Sequence, residues 1–446
     1  MRLVRRFLAR FGANTAAALL VSGLNATSKA LGLARELFMA WAFGTSAVVD
    51  AYRIGLTVST YLSHLFFGEA MTGAVVPVLA RARASDGETS DGPALKAGLT
   101  LAGLAITIPA GLLLLGFPEL VVDLLTPDLS PDQRHWTVLF MRIFGLSVPL
   151  YSLTAIVVMV RRAKSDFRPL GWRPVGQNLF LIAGIVLAYA TDTPLLIPVS
   201  FLVYYAVLLA GLDRGAALAS LSFGLRRAAA GLRPVAARWL PLAIGLMLLR
   251  SNTLVERYFG SRLPAGSIAA LDYARTLTDV PMLLLAVPAG AVLLTAVSRS
   301  QRRRLTLGQK RKLSVLVALS FLASAALVVA AEPLTRLLFQ RGAFAGESVR
   351  ATAAALRGLG AGAWAMVLGH IATQYIMATR SPWTLALPAG VSVTANILLS
   401  VRLVPLLGLL GLALASSAAA VTFVALCAAA LWRQPPRRTG TDAGTG

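Results

Sequence analysis

Apolar positions along this chain come in long unbroken runs, where a soluble helix would keep one polar face and an exposed strand would alternate. Runs long enough to cross a bilayer, at roughly 20 residues each, recur twelve times. They lie at about 13–42, 47–80, 95–117, 134–160, 174–190, 194–212, 234–256, 266–298, 313–331, 348–378, 383–402 and 408–432. The second, eighth and tenth exceed the crossing length and are expected to tilt or protrude. The start "MRLVRRFLAR" has the basic character of a signal peptide. The apolar stretch after it continues past any plausible cleavage point, so it is read as a retained first helix. The pattern predicts an all-α polytopic membrane protein with a basic cytoplasmic segment 1–12. The polar tail 433–446 is expected to be disordered.

The polar positions inside the runs repeat. "DAYR" at 50–53 is echoed by "DYAR" at 272–275, and "GAVVPVLAR" at 73–81 by "GAVLLTAVSR" at 290–299. Glu119 stands five residues before Leu124-Leu125, and Glu332 five before Leu337-Leu338. Arg142-x-x-Gly145 matches Arg357-x-x-Gly360, with Asn178 and Asn396 at comparable distances beyond. Four echoes in one order divide the chain into six-helix bundles at 13–230 and 231–432. Six is even, so both bundles start from the same side and form parallel repeats about an axis along the membrane normal. Transporters of that architecture hold their substrate at the repeat interface.

Composition agrees, with 57% hydrophobic residues and 14% charged. The net charge of +23 invites a nucleic-acid reading, but its distribution does not. With the amino terminus in the cytoplasm, 28 of the 42 Lys and Arg fall on inside segments and 7 on outside ones. That is the positive-inside asymmetry of membrane proteins. The block "SRSQRRRLTLGQKRK" is then a topology anchor near anionic lipid, and no nucleic-acid partner is expected. A lone Cys427 builds neither a disulfide nor a thiolate zinc site. His64, His135 and His370 lack metal-ligand spacing, and "RGLGAGAW" misses the GxGxxG pattern. Gly358, Gly360 and Gly362 are read instead as permitting close helix packing. The longest predicted outside loop, 117–133, cannot hold a soluble catalytic domain. A transporter without a cofactor is expected, with a coupling cation or the membrane potential left open as its energy source.

Charge inside the spans narrows the picture. Seven basic residues lie there: Lys29, Arg35, Arg53, Arg142, Arg250, Arg275 and Arg357. Five of them occupy spans 1, 2, 7 and 8, which also hold Glu36, Asp50, Glu69, Asp272 and Asp279. At about 3 kcal/mol for each charge at the bilayer centre, these cations cannot face lipid, and a wet interior is expected. At about 100° per residue, Asp50, Arg53 and His64 share one stripe, Asp272, Arg275 and Asp279 another, and Lys29 lies two turns from Glu36. The Asp-x-x-Arg motifs read equally as neutralising pairs, but acids near Lys29, Arg35 and Arg250 look too few. A net-positive cavity follows, suited to an anion whose oxygens Arg can fork and Lys can meet as a point charge. Arg142 and Arg357, near span ends, suit packing or snorkelling.

These residues resemble a family. "SKALGLARELFMAWAFGTSAVVDAYRIGLTVSTYLSHLFFGEAMTGAVVPVLARA" is similar to the opening of the MurJ/MviN lipid II flippases, of the multidrug/oligosaccharidyl-lipid/polysaccharide exporter superfamily. "GSIAALDYARTLTDVPMLLLAVPAGAVLLTAVSR" resembles that family's eighth helix and "LTRLLFQRGAFAGES" its loop before the tenth. The resemblance implies a V-shaped pair of bundles around a central cavity, working by alternating access. The implied cargo is a polyprenyl-pyrophosphate-linked glycan, lipid II or a related peptidoglycan precursor. It would pass from the inner to the outer leaflet of a bacterial plasma membrane, with both termini cytoplasmic. By position, Lys29 stands for an essential arginine, Arg35 matches a second, Glu36 replaces an aspartate, and Asp50 matches the acid opening helix two. The family's paired arginines in helix two are here Ser63 and His64, its Asp-Arg in helix eight becomes Arg275-Thr276, and two C-terminal helices are missing. The expected headgroup site is Lys29, Arg35, Arg53 and Arg275, with Glu36, Asp50, His64, Arg250, Asp272 and Asp279 poising it. Expected partners are the lipid-linked glycan, membrane lipid and proteins of cell-wall or polysaccharide synthesis. Three alternatives stay open: a flippase for another undecaprenyl-linked polysaccharide unit, a cation-coupled drug antiporter, and a non-transporting scaffold.

Overall fold

A computed structural model describes residues 13–68, 71–76, 78–79, 91–213, 225–289, 307–380 and 382–433. Glu69, the segment 1–12, most of the basic block 298–312, "GAVLLTAVSR" and the tail from 434 lie outside the described residues. Among the described residues the secondary structure is helical, with no strand.

The chain forms two compact units, Met1–Ala243 with Arg341–Ala345, and Ile244–Gln340 with Gly346–Gly446. The first contains α1 (Ala13–Phe43), α2 (Ala47–Phe67), α3 (Asp91–Gly116), α4 (Pro118–Leu125), α5 (Pro131–Ala163), α6 (Arg168–Ala190) and α7 (Leu196–Asp213). Here α5 is central, packed against α2, α3 and α7, while α1 lies along α6. A capping box opens α5: the Ser130 side chain accepts from the Gln133 backbone, the Gln133 side chain accepts from the Ser130 backbone, and Pro131 fills the first turn. α8 (Leu225–Gly260) passes from the first unit into the second.

The second unit continues with α9 (Ser267–Pro281), a π turn at Met282–Ala286, α10 (Leu307–Val329), α11 (Ala331–Phe339), α12 (Gly346–Ala361), α13 (Ala363–Thr379) and α14 (Ala386–Arg433). α12 packs against α9, α10 and α14. A methyl group on Gly358 would come within 2.5 Å of Ala413 Cβ, so glycine there lets α12 and α14 approach closely, as the sequence led us to expect.

Within the described residues, the predicted apolar runs map onto helix, with three adjustments. The run 47–80 breaks after Phe67, where the Gly68 N–H donates to the His64 carbonyl. The run 348–378 bends by 50° between α12 and α13. The last two runs share α14, interrupted at Gly408, whose φ of 55° and ψ of −131° suit glycine alone. The short helices α4 and α11 were not foreseen, because eight or nine residues carry too few turns for a periodic signal.

Among the described residues, α3, α5, α6 and α14 are long and apolar enough to cross a membrane, and the bent pairs α10–α11 and α12–α13 raise the count to six. α1, α2, α8 and α9 are not among them. These four carry the charges of both candidate clusters, and α9, at 15 residues, is also too short to cross alone.

Candidate functional site

In the first unit the charges meet on a carboxylate. Glu36 of α1 is 4% exposed and accepts from two guanidiniums. Arg35 donates to Glu36 Oε1 through Nη2 at 2.5 Å and Nε at 3.2 Å. Arg53 of α2 donates to Oε1 through Nη1 at 3.2 Å and to Oε2 through Nη2. Asn178 of α6 orients the cluster from the far side. Its Oδ1 accepts from Arg35 Nη1 at 3.0 Å, and its Nδ2 donates to the Ser28 carbonyl at 3.0 Å. Asp50, fully buried, accepts from Gln133 Nε2 at 2.6 Å. Lys29, next to Ser28, is exposed.

The second unit builds the same device from equivalent helices. Glu256 of α8, 2% exposed, accepts from Arg275 Nη2 at 2.6 Å on both oxygens. Ser416 of α14 donates to its Oε1 at 2.7 Å. Arg257 Nη2 donates to Asp272 Oδ2 at 2.7 Å. Asn396 donates from Nδ2 to Asn252 Oδ1 at 2.9 Å. Asp279 is half-buried one turn beyond Arg275, and Arg250 is exposed. A glutamate on the first helix of each unit is thus held by an arginine on the second, three residues after an aspartate.

The helix ends at α4 and α11 repeat as well. Arg142 donates to Glu119 at 2.9 Å across α5 and α4, and Arg357 to Glu332 at 3.3 Å across α12 and α11. Neither arginine snorkels alone. Both pairs are solvent-exposed, so Glu119→Gln or Glu332→Gln is expected to change unfolding stability by no more than about 1 kcal/mol, measured by thermal denaturation in detergent.

Three expectations need correction. Arg35 does not lack an acid, because Glu36 serves both Arg35 and Arg53. Burial of Arg53 is compensated by that carboxylate rather than by water, since the side chain is only 7% exposed. In the second unit, Arg275 is held by Glu256 and Asp272 by Arg257, neither of which was in the expected site. Glu256 lies 220 residues after Glu36, close to the 222 separating Asp50 from Asp272, so the repeat itself carried that signal. His64 also faces a group that sequence reading missed. Tyr151 Oη lies 3.2 Å from His64 Nδ1, and the Arg173 guanidinium sits 4.3 Å over the Tyr151 ring. The apolar run 174–190 leaves Arg173 just outside it, but α6 starts at Arg168 and includes it.

Chemically, the first unit offers forked donors already gathered on one carboxylate. Among the described residues, Lys29, Arg35 and Arg53 outnumber Glu36 and Asp50 by one charge, whereas Arg250, Arg257 and Arg275 are matched by Glu256, Asp272 and Asp279. Among the described residues no group of three His, Cys, Asp or Glu could hold a metal ion.

The sequence profile of the family described as Lipid II flippase MurJ matches residues 39–444. A probable lipid II flippase MurJ of Rhizobium meliloti is 29% identical over 436 residues, covering 93% of this chain and 80% of its own length. The lipid II flippase MurJ of Burkholderia cenocepacia is 26% identical over 417 residues, covering 89% and 80%. The fold is similar to a solved lipid II flippase MurJ in an inward closed conformation, with a TM-score of 0.81, 21% identity, and coverage of 94% of this chain and 88% of that one. It is also similar to an inward-facing multidrug resistance MATE transporter of the MOP superfamily, at a TM-score of 0.66 and 12% identity, covering 91% and 93%.

Proposed function

Because the chain belongs to the MurJ lipid II flippase family, we propose that it carries lipid II from the inner to the outer leaflet of a bacterial plasma membrane, as a transporter. The observation that carries this reading is the Arg35–Glu36–Arg53 clamp, with Lys29 two turns away on α1. A pyrophosphate bears more charge than one carboxylate and presents more oxygens. It can therefore take over the forks that Glu36 holds in waiting. Asn178 keeps Arg35 in place during the exchange, and Lys29 adds a mobile point charge at the exposed edge. Arg275, the counterpart in the second unit, meets the cargo at another stage of its passage, after leaving Glu256. Asp50, Asp272 and Asp279 set the charge balance around these cations. Both termini lie in the cytoplasm, where the basic segments favour retention.

Cation removal tests this directly. Lys29→Gln, Arg35→Gln and Arg53→Gln variants that reach the membrane are expected to fail to complement loss of the cell's own flippase. Normal growth with all three ends the assignment. Saturable binding of an organic cation, with no response to a polyprenyl pyrophosphate, would favour the drug-antiporter reading instead. The excess of cations over acids around α1 and α2 argues against it.

A further inference from the structure

Away from the Glu36 clamp, α3, α5 and α7 leave a cavity of about 400 Å³, where α5 and α7 end and α3 begins. Among the described residues of its wall, Lys96 of α3, Arg161 in the last turn of α5 and Lys164 at its C-cap are the cations and Asp166 the acid. Asp166 is shared: its Oδ1 accepts from Arg168 Nε at 3.0 Å and from the Arg168 backbone at 3.3 Å, and its Oδ2 accepts from Arg161 Nη1 at 3.4 Å, which leaves Lys96 and Lys164 as the cations it does not hold. Arg161 is fixed by donating from Nη2 to the Leu212 carbonyl at 2.5 Å. The remaining wall is apolar, including Val157 and Val160.

Helix capping accounts for Arg161 and Lys164, and the positive-inside asymmetry accounts for basic residues at these ends. Neither requires a cavity, and neither brings Lys96 to it from a third helix. We infer that this cavity binds the phosphate of an anionic lipid headgroup, with the glycerol end of the lipid against Val160 and Leu212. A phosphate anion is the shared chemistry. The apolar wall, and the position where three spans end, favour a lipid over a soluble phosphate. The inference takes from the flippase reading only that these helix ends lie at the cytoplasmic surface.

Full-length protein in detergent is titrated with dioleoylphosphatidylglycerol, dioleoylphosphatidylcholine or inorganic phosphate. Retained adducts are counted by native mass spectrometry, and protection is read by thermal unfolding. Phosphatidylglycerol is expected to be retained and to protect, phosphatidylcholine not. Lys96→Gln/Lys164→Gln is expected to weaken phosphatidylglycerol binding about tenfold, and Lys164→Glu, at an exposed position, to weaken it without disturbing the bundle. A matched charge loss at exposed sites, Arg350→Gln/Arg402→Gln, is expected to leave binding unchanged. Undiminished retention by Lys96→Gln/Lys164→Gln overturns the site, as does equal retention of phosphatidylcholine. Equal protection by inorganic phosphate overturns the lipid assignment. None of these results touches complementation by the Lys29, Arg35 and Arg53 variants, so the two readings fail separately.

Discussion

Replacing Glu36 with glutamine is expected to lower unfolding stability by about 3–5 kcal/mol, the usual effect of removing one partner of a buried ion pair. Here the loss strands two guanidiniums at once. Arg53 is the worse placed, at 7% side-chain exposure against 18% for Arg35, which also keeps its bond to Asn178. Arg35→Gln should therefore cost far less than Glu36→Gln, because Glu36 would still be held by both forks of Arg53. The informative variant is the double substitution Glu36→Leu/Arg53→Met. Replacing a buried pair by apolar groups of similar volume is often neutral or stabilising, so thermal unfolding in detergent is expected to recover most of the lost stability. Complementation is expected to remain absent, since a pyrophosphate would find only the Arg35 fork and lose that of Arg53. Wild-type stability in Glu36→Gln would remove the clamp from the account. Growth supported by the double variant would make these charges architectural.

The same comparison shows what could be read from sequence. Helix positions were legible because spans need long apolar runs, and only a few arrangements of such runs satisfy the backbone in lipid. The duplication was legible too, because Asp-x-x-Arg, Glu119 with Arg142 and Asn178 each recur in order, and the structure pairs Arg53 and Arg275 each with a glutamate, Arg142 with Glu119 and Arg357 with Glu332. Partner choice was not. Glu36 and Arg53 are 17 residues apart on different helices, and phase within one helix favoured Asp50 or Asp272 as the nearer acid. Gln133 escaped notice because a neutral amide in a capping position looks fully employed, yet its side chain also donates to Asp50. Arg173 escaped because the start of α6 was set at the apolar run rather than at the Arg168-Pro169 turn that opens it. In each case the missing information was a contact between helices, which periodicity along one helix does not contain.

Glu256→Gln is expected to cost as much as Glu36→Gln, about 3–5 kcal/mol, because one nitrogen of Arg275 holds both carboxylate oxygens at 2.6 Å and the pair is buried on the glutamate side. Ser416→Ala removes only a neutral donor from the same carboxylate, and about 1–2 kcal/mol is expected. These single losses do not separate folding from transport. The neutral pair Glu256→Gln/Arg275→Gln does, because two amides can hydrogen-bond in place of the ions and the second unit has no excess charge to strand. Its stability is expected to return to near that of the unmodified protein. Complementation is expected to stay lost if Arg275 meets the cargo's phosphates after releasing Glu256, since an amide offers them no charge. Full complementation together with full stability would reduce Arg275 to a strut between α8 and α9. The headgroup would then be left to the one cluster whose cations exceed its acids, that of Lys29, Arg35 and Arg53.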